Sequence, residues 1–261
     1  MKPSTSQSSK REVEALAPIL EHVPHSGVLV VHSAIGKLSR QGFRAEAMIE
    51  ALLEHMRGGT LVMPTMTWRT VSAAQPHWDE ITTASETGVL TEIFRTCHAS
   101  HRSIHPTHSA AAAGAVADTL VNRHHLDRTP VSENSPYGLM RSYDSHIVML
   151  GVGLEACTAI HLPEELVAPD FYLRPLDPAE TYDCRDRNGQ VHRVQTRRHW
   201  RLDRDFPKFS PRLQARGQLK TGFLQDCAYS VVSLKDLLAT VTEALADNPR
   251  GTLRDVEVAA R

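Results

Sequence analysis

A histidine followed three positions later by a glutamate, His161 and Glu164, is the pair in this chain best suited to moving a proton. If the segment is helical the two share a face, and the carboxylate can orient the imidazole and hold one tautomer. A base held this way can take a proton from an amine as the amine attacks. Pro163 stands between the two, so the helix must begin near Leu162 or be irregular there. The same spacing also fits an ordinary surface pair. A di-metal reading of His-x-x-Glu needs a second copy and further glutamates on other helices, and the chain has no such set.

A second polar concentration runs from Arg102 to Ser109, with Ser103, His105, Thr107 and His108 around Pro106. Donors at this density suit the phosphates or amides of an extended ligand. They equally suit a loop that satisfies its own backbone. His32-Ser33-Ala34-Ile35-Gly36 and Pro64-Thr65-Met66-Thr67-Trp68 are two further polar loops, and each reads as a binding turn or as a local cap around packed side chains.

Each of these segments needs an element to aim it. Val28-Leu29-Val30-Val31 is an apolar, β-branched run of the kind that forms a buried strand, and it runs directly into His32-Ser33. Ala45, Met48, Ile49, Leu52, Leu53 and Met56 recur at helical spacing, with Gly58-Gly59 as a left-handed stop, and Leu61-Val62-Met63 follows as a strand broken at Pro64. This β-α-β order is the unit of three-layer α/β folds. Val89, Leu90, Ile93, Phe94 and Cys97 mark another amphipathic helix, and Ile147 to Leu150 is a strand ending in Gly151-Val152-Gly153. Ser233 and Asp236 form a capping box ahead of a C-terminal helix that ends before Pro249. In such folds ligands bind at the carboxyl ends of the strands, where the polar loops fall. From Cys184 to Lys220 the periodicity weakens and arginine is frequent, which predicts a small irregular subdomain or long loops.

The chain has 261 residues, enough to bury a core as one large domain, and a formal net charge of −1, which favours neither nucleic acid nor an acidic surface. Residues 1–12 are polar and Ser-rich with no apolar stretch behind them, so they read as a frayed terminus rather than a leader. No apolar run approaches a membrane span, and the expected location is the cytoplasm. Cys97, Cys157, Cys184 and Cys227 are too scattered for a zinc knuckle or a disulfide framework and read as free thiols.

Four blocks in order, VVHSAIGKL, GGTLVMPTMTW, RSIHPTHSAAAAG and SPYGLMRSYDSHIVMLGVGLEACTAIHLPEE, resemble the aminoglycoside 3-N-acetyltransferase family. They cover roughly Val28 to Glu165, and the last two are the most specific, because RS-x-HP-x-HS and T-x-x-H-x-x-E are not generic fold patterns. The resemblance implies one domain over 1–261 with an α/β/α architecture around a mixed central sheet, distinct from the GNAT fold. It also implies acetyl-CoA as co-substrate and no metal. By carry-over, His161 takes the place of the catalytic histidine and Glu164 that of its partner carboxylate. His32, Ser33 and Gly36, with Ser103, His105 and Ser109, are implied to hold acetyl-CoA. The chemistry implied is direct transfer, with His161 as general base and donors near the strand ends on the developing oxyanion. The chain departs from the family pattern at Cys157, where asparagine is common, and at Pro163, where a small residue is usual. Cys157 lies four residues before His161, so an acetyl-thiol mechanism is the alternative, set against the commoner buried structural cysteine.

The acceptor stays open at this level. A polycationic aminoglycoside needs carboxylates on the cleft, for which Asp79, Glu80, Glu86, Asp170, Asp203 and Asp205 are candidates. Against them stands the run Arg187, Arg193, Arg197, Arg198, Arg201, Arg204, Lys208, Arg212 and Arg216, which reads as a solvated basic face. Lining the cleft instead, it would favour an anionic amine such as a phosphonate or carboxylate, or bind the phosphates of CoA. The expected partner is therefore a small-molecule amine, with neither nucleic acid nor membrane, and a homodimer is left open. The remaining alternative is a non-catalytic CoA-binding or nucleic-acid-binding module in which His161 and Glu164 are structural.

Overall fold

A computed structural model of the chain describes residues 5–176 and 179–255. Its strands among these are β1 Val28–Ser33, β2 Thr60–Pro64, β3 His77–Asp79, β4 His101–Arg102 and β5 Ala110–Gly114. They continue with β6 Ser145–Leu150, β7 Glu180–Arg185, β8 Val191–Thr196, β9 Leu219–Leu224 and β10 Cys227–Ser233. Seven of them form a mixed sheet in the order β4-β5-β2-β1-β6-β10-β9. Only the central strands run parallel, β1 with β2 and with β6, while the outer pairings are antiparallel.

The central strands are apolar over most of their length because helices cover both of their faces. Leu29, Val31, Leu61, Met63, Val148 and Leu150 pack under Leu16 and Ile19 of helix Thr5–Leu20 and under Met48, Ile49 and Leu52 of helix Ala45–His55. Their neighbours Val28, Val30, Val62, Ile147 and Met149 face the opposite layer, which holds Leu162 of helix His161–Val167 and Leu237 and Val241 of helix Leu234–Asp247. The architecture is therefore α/β/α about a mixed sheet. The chain leaves β1 toward one face and β6 toward the other, so these adjacent parallel strands form a topological switch point. A crevice must open at their carboxyl ends.

Several elements differ from the sequence expectation. Helix Thr5–Leu20 takes in most of the segment expected to fray, and residues 1–4 lie outside the described residues. Helix Ala45–His55 stops on Met56 at φ −90°, and neither Gly58 nor Gly59 adopts the left-handed conformation assigned to them. Gly59 answers a different need, since a Cβ there would sit 2.8 Å from the Gly27 carbonyl oxygen. Residues 184–220 are not an irregular unit. Strands β7 and β8 pair with β3 in a second sheet around Trp78, Tyr182, Cys184 and Val194, while Phe206, Phe209 and Leu213 belong to the main core and β9 to the main sheet. Ser233 caps the C-terminal helix, its hydroxyl accepting from the Asp236 amide at 3.1 Å, while the Asp236 carboxylate accepts that hydroxyl at 2.7 Å.

Candidate active site

A cleft of about 770 Å³ opens at the switch point. His32, Ser33 and Ala34 enter it from the end of β1, Pro64 and Met66 from the end of β2, and residues 152 to 158 from the turn after β6. That turn requires Gly151, whose φ is +71° and whose Cβ would lie 2.4 Å from the Ala34 carbonyl oxygen and 2.9 Å from the Cys227 sulfur. Substituting alanine there combines a left-handed penalty with overpacking, so Gly151→Ala should cost on the order of 3 kcal/mol in urea unfolding.

His161 is the first residue of its helix, and the side chain reaches the cleft with 17% of its surface exposed. Pro163 is tolerated because it falls in the first turn, where no intrahelical bond is lost. His161 Nδ1 lies 2.7 Å from Glu164 Oε2. A carboxylate there makes Nδ1 the donor and leaves Nε2 as the unprotonated, basic nitrogen. Glu164 is fully buried, and both of its oxygens are engaged further: Thr252 Oγ1 donates to Oε1 at 2.6 Å and Arg204 Nε lies 3.1 and 3.0 Å from the two oxygens. Burial alone would raise this carboxyl, but the His161 and Arg204 charges with the Thr252 hydroxyl outweigh it and hold Glu164 below its ordinary range. Arg204 is itself fixed by the C-terminal segment, through a bridge to Leu253 and the Asp205 amide bonding the Thr252 carbonyl at 2.8 Å.

A second His–Glu pair lies against the first. The His199 ring stacks on His161 with centroids 4.3 Å apart, and His199 Nε2 is 2.7 Å from Glu165 Oε1. Burial drives the two members in opposite directions, Glu165 up to about 8 and His199 well below the usual histidine value, so the uncharged pair is favoured. Two adjacent glutamates are thereby separated in charge, with the anion kept on the one that faces His161. The cysteine alternative loses its support here, because burial pushes the Cys157 thiol up to about 12 and a protonated thiol is a poor nucleophile at neutral pH.

The residues implied for acetyl-CoA divide into two groups. His32 and Ser33 line the cleft; burial pushes His32 down to about 4, and its Nε2 has no partner among the described residues. Gly36 begins helix Gly36–Arg40 and lies outside the cleft lining. Ser103, His105 and Ser109 are fully buried and outside the cleft lining. The Ser103 hydroxyl accepts from the Ala110 amide at 2.9 Å, the Ser109 hydroxyl donates to the Thr65 carbonyl at 2.8 Å, and His105 Nδ1 accepts the Thr107 and His108 amides. The loop satisfies its own backbone and presents only His108 to the cleft.

The cationic stretch is not a solvated face. Arg187 pairs with Glu80, Arg197 with Asp170, and Arg212 and Arg216 with Glu243, while Arg198, Arg201 and Arg204 line the cleft with Arg69 and Arg174. Of the carboxylates proposed to face a polycation, only Glu86 lies on the cleft, and it accepts from the Arg69 and Thr70 amides. Arg204, Thr252, His199 and Glu165 were missed from sequence as members of the site. They meet His161 and Glu164 through tertiary packing, and no local spacing signals that contact. Among the described residues no group of His, Cys, Asp and Glu side chains is disposed to hold a metal ion, and no helix is long and apolar enough to cross a membrane.

The model of the aminoglycoside 3-N-acetyltransferase family matches residues 30–246. A prophage-derived aminoglycoside N(3')-acetyltransferase-like protein, YokD of Bacillus subtilis (strain 168), is 27% identical over 183 residues, 62% of this chain and 65% of that protein. The chain spans less than two thirds of the length of the curated relatives it matches. Among solved structures, a histidine-to-alanine variant of aminoglycoside acetyltransferase AAC(3)-IVa in complex with a gentamicin superposes with TM-score 0.76 at 24% identity, covering 97% of this chain and 93% of that one. A binary complex of AAC-IIIb with CoASH gives TM-score 0.75 at 20% identity, covering 95% and 98%. With the family model matching most of its length and its strand-end cleft in the same fold, the chain belongs to the aminoglycoside 3-N-acetyltransferase family.

Proposed function

We propose that this chain is an acetyl-CoA-dependent N-acetyltransferase in which His161 is the general base for a primary amine, the nucleophile an aminoglycoside presents. The observation that carries this reading is the His161–Glu164 pair at the mouth of the strand-end cleft, with Nε2 as its free basic nitrogen. Acetyl-CoA supplies an activated thioester, and one solved neighbour is a complex with CoASH. The cleft suits an extended thioester: Ser33, Ala34 and Gly88 are small residues along its strand-end side, and the buried His32 Nε2 lacks a partner there.

The residues divide the work. His161 Nε2 receives the amine proton as nitrogen attacks, Glu164 stabilises the imidazolium that results, and Arg204 with Thr252 keeps the carboxylate from turning away. The proton then returns from His161 to the departing thiol, so no external base is consumed. The rest of the acceleration comes from alignment within the cleft. Residues 1–261 acting as one domain, a cytoplasmic site of action and a role in antibiotic resistance belong to the same proposal.

Release of free thiol from acetyl-CoA, measured across aminoglycosides and simpler amines, tests it. Amine-dependent release accompanied by a mass gain of one acetyl group on the amine is expected. Failure to bind acetyl-CoA would overturn the reading, and binding without transfer to any amine would favour the non-catalytic module.

A further inference from the structure

The walls of the cleft differ in chemistry. Ser33, Ala34, Val152 and Ala156 make a wall of small side chains at the strand ends, with Glu155 among them, whereas the wall beside His161 is built from the segment after β8 and is cationic. In that segment His199 stacks on His161, Trp200 follows with 42% of its surface exposed, and Arg201 has no ion pair among the described residues. Two further guanidinium groups converge on Trp200. Arg174 lies over its ring at 5.5 Å and Arg204 Nη1 donates to its carbonyl at 3.0 Å. Both are already ion-paired, Arg174 with Glu180 at 3.2 Å and Arg204 with Glu164 at 3.0 Å, yet each keeps one buried N–H group, Arg174 Nε and Arg204 Nη2, without a hydrogen-bond acceptor among the described residues. A buried guanidinium N–H left unpaired is costly, and an anionic oxygen is the partner that best relieves it. The described carboxylates on the cleft cannot serve, because Glu86 is taken up by the Arg69 and Thr70 amides and Glu155 by the Gly153 amide at 2.7 Å.

We infer that the acceptor selected by this cleft is an amine that also carries an anionic group, a carboxylate, phosphate or phosphonate, seated against Arg174, Arg201 and Arg204 beside Trp200. The inference rests on the acetyltransferase reading and replaces its polycationic aminoglycoside acceptor with an anionic amine. Its amine end then reaches His161 through the His199 side of the cleft. A polycation meets cationic groups where it needs carboxylates, and is disfavoured. The phosphates of CoA are the other source of the same anionic chemistry, so the test must separate the two.

Four matched aminoalkyl compounds, ending in methyl, trimethylammonium, carboxylate and phosphonate, are offered with acetyl-CoA to the full chain alongside gentamicin. Thiol release and product mass are followed for the unsubstituted protein and for Arg201→Ala and Arg174→Met, and binding of CoA and dephospho-CoA is measured by calorimetry. The carboxylate or phosphonate amine should exceed the methyl compound in kcat/KM by about tenfold or more, and Arg201→Ala should remove most of that advantage while leaving CoA affinity in place. Preference for gentamicin or for the trimethylammonium amine would overturn the inference and leave the acetyltransferase standing. So would an Arg201→Ala protein that loses CoA affinity but keeps the acceptor preference, since the arginine would then serve the co-substrate. Absence of acetyl-CoA binding by the unsubstituted chain would sink the acetyltransferase reading itself, and this inference with it.

Discussion

Replacing His161 with alanine lowers kcat for acetyl transfer by a factor on the order of 10²–10⁴, the usual contribution of a positioned general base. The fold should survive the change, because Glu164 loses its His161 bond but keeps those to Arg204 and Thr252, and the remaining loss is stacking on His199 and the edge of Phe206. Steady-state kinetics at saturating acetyl-CoA, with circular dichroism as a control, decide the point. Glu164→Gln should cost less in kcat, since an amide can still hold Nδ1 but cannot stabilise the imidazolium. Unchanged kcat in His161→Ala would remove the base from this mechanism.

The second large effect concerns stability. Arg102 is buried and bonds outward in every direction: Nη1 to the Glu80 and Thr83 carbonyls at 3.0 and 2.6 Å, Nη2 to the Thr65 carbonyl at 3.1 Å, and Nε to the Thr65 and Ser109 hydroxyls. Its guanidinium also covers the Trp78 ring at 4.8 Å and so joins the two sheets. Burial and the nearby Arg95 charge push it down to about 9, which still leaves it charged at neutral pH. Arg102→Met removes a donor from three carbonyls at once, leaving Thr65 the Ser109 hydroxyl and Glu80 the longer bond from Arg95, and urea unfolding should show a loss on the order of 3 kcal/mol. Arg102→Lys should recover only part of it, because a single ammonium cannot span acceptors set for a planar fork. A loss below about 1 kcal/mol would mean that water replaces the guanidinium, and the loop would not depend on it.

These two residues show what could be read from the chain beforehand and what could not. β1, β2 and β6 are visible as apolar runs because burial on both faces removes any need for alternation. The strands of the small sheet are hidden for the opposite reason. Along β8, Val191, Arg193 and Gln195 face outward and His192, Val194 and Thr196 inward, but with a valine outside and a histidine and threonine inside the alternation of burial has no matching alternation of polarity. Helix Thr5–Leu20 is masked by its serines and by Pro18, and only Leu16, Ile19 and Leu20 mark its packed face. Within the site, His161 and Glu164 share a helix turn and so were legible as a pair. Arg204 and Thr252 reach the same carboxylate through tertiary folding, and their own neighbours in sequence say nothing of it. The loop from Arg102 to Ser109 reads both ways in sequence, because polar side chains look the same whether they bond a ligand or their own backbone.

The hydrogen bond from Thr252 to Glu164 joins residues 88 positions apart, and the strand-like contact between Arg204 and Leu253 reinforces it. During synthesis the central strands and helix His161–Val167 leave the ribosome long before either partner of that carboxylate does. A nascent chain can therefore bury most of its sheet while Glu164 has only His161 beside it, an incompletely compensated charge that disfavours early closure of the layer carrying it. The carboxylate's remaining partners come from a later segment, which closes behind it rather than over the cleft.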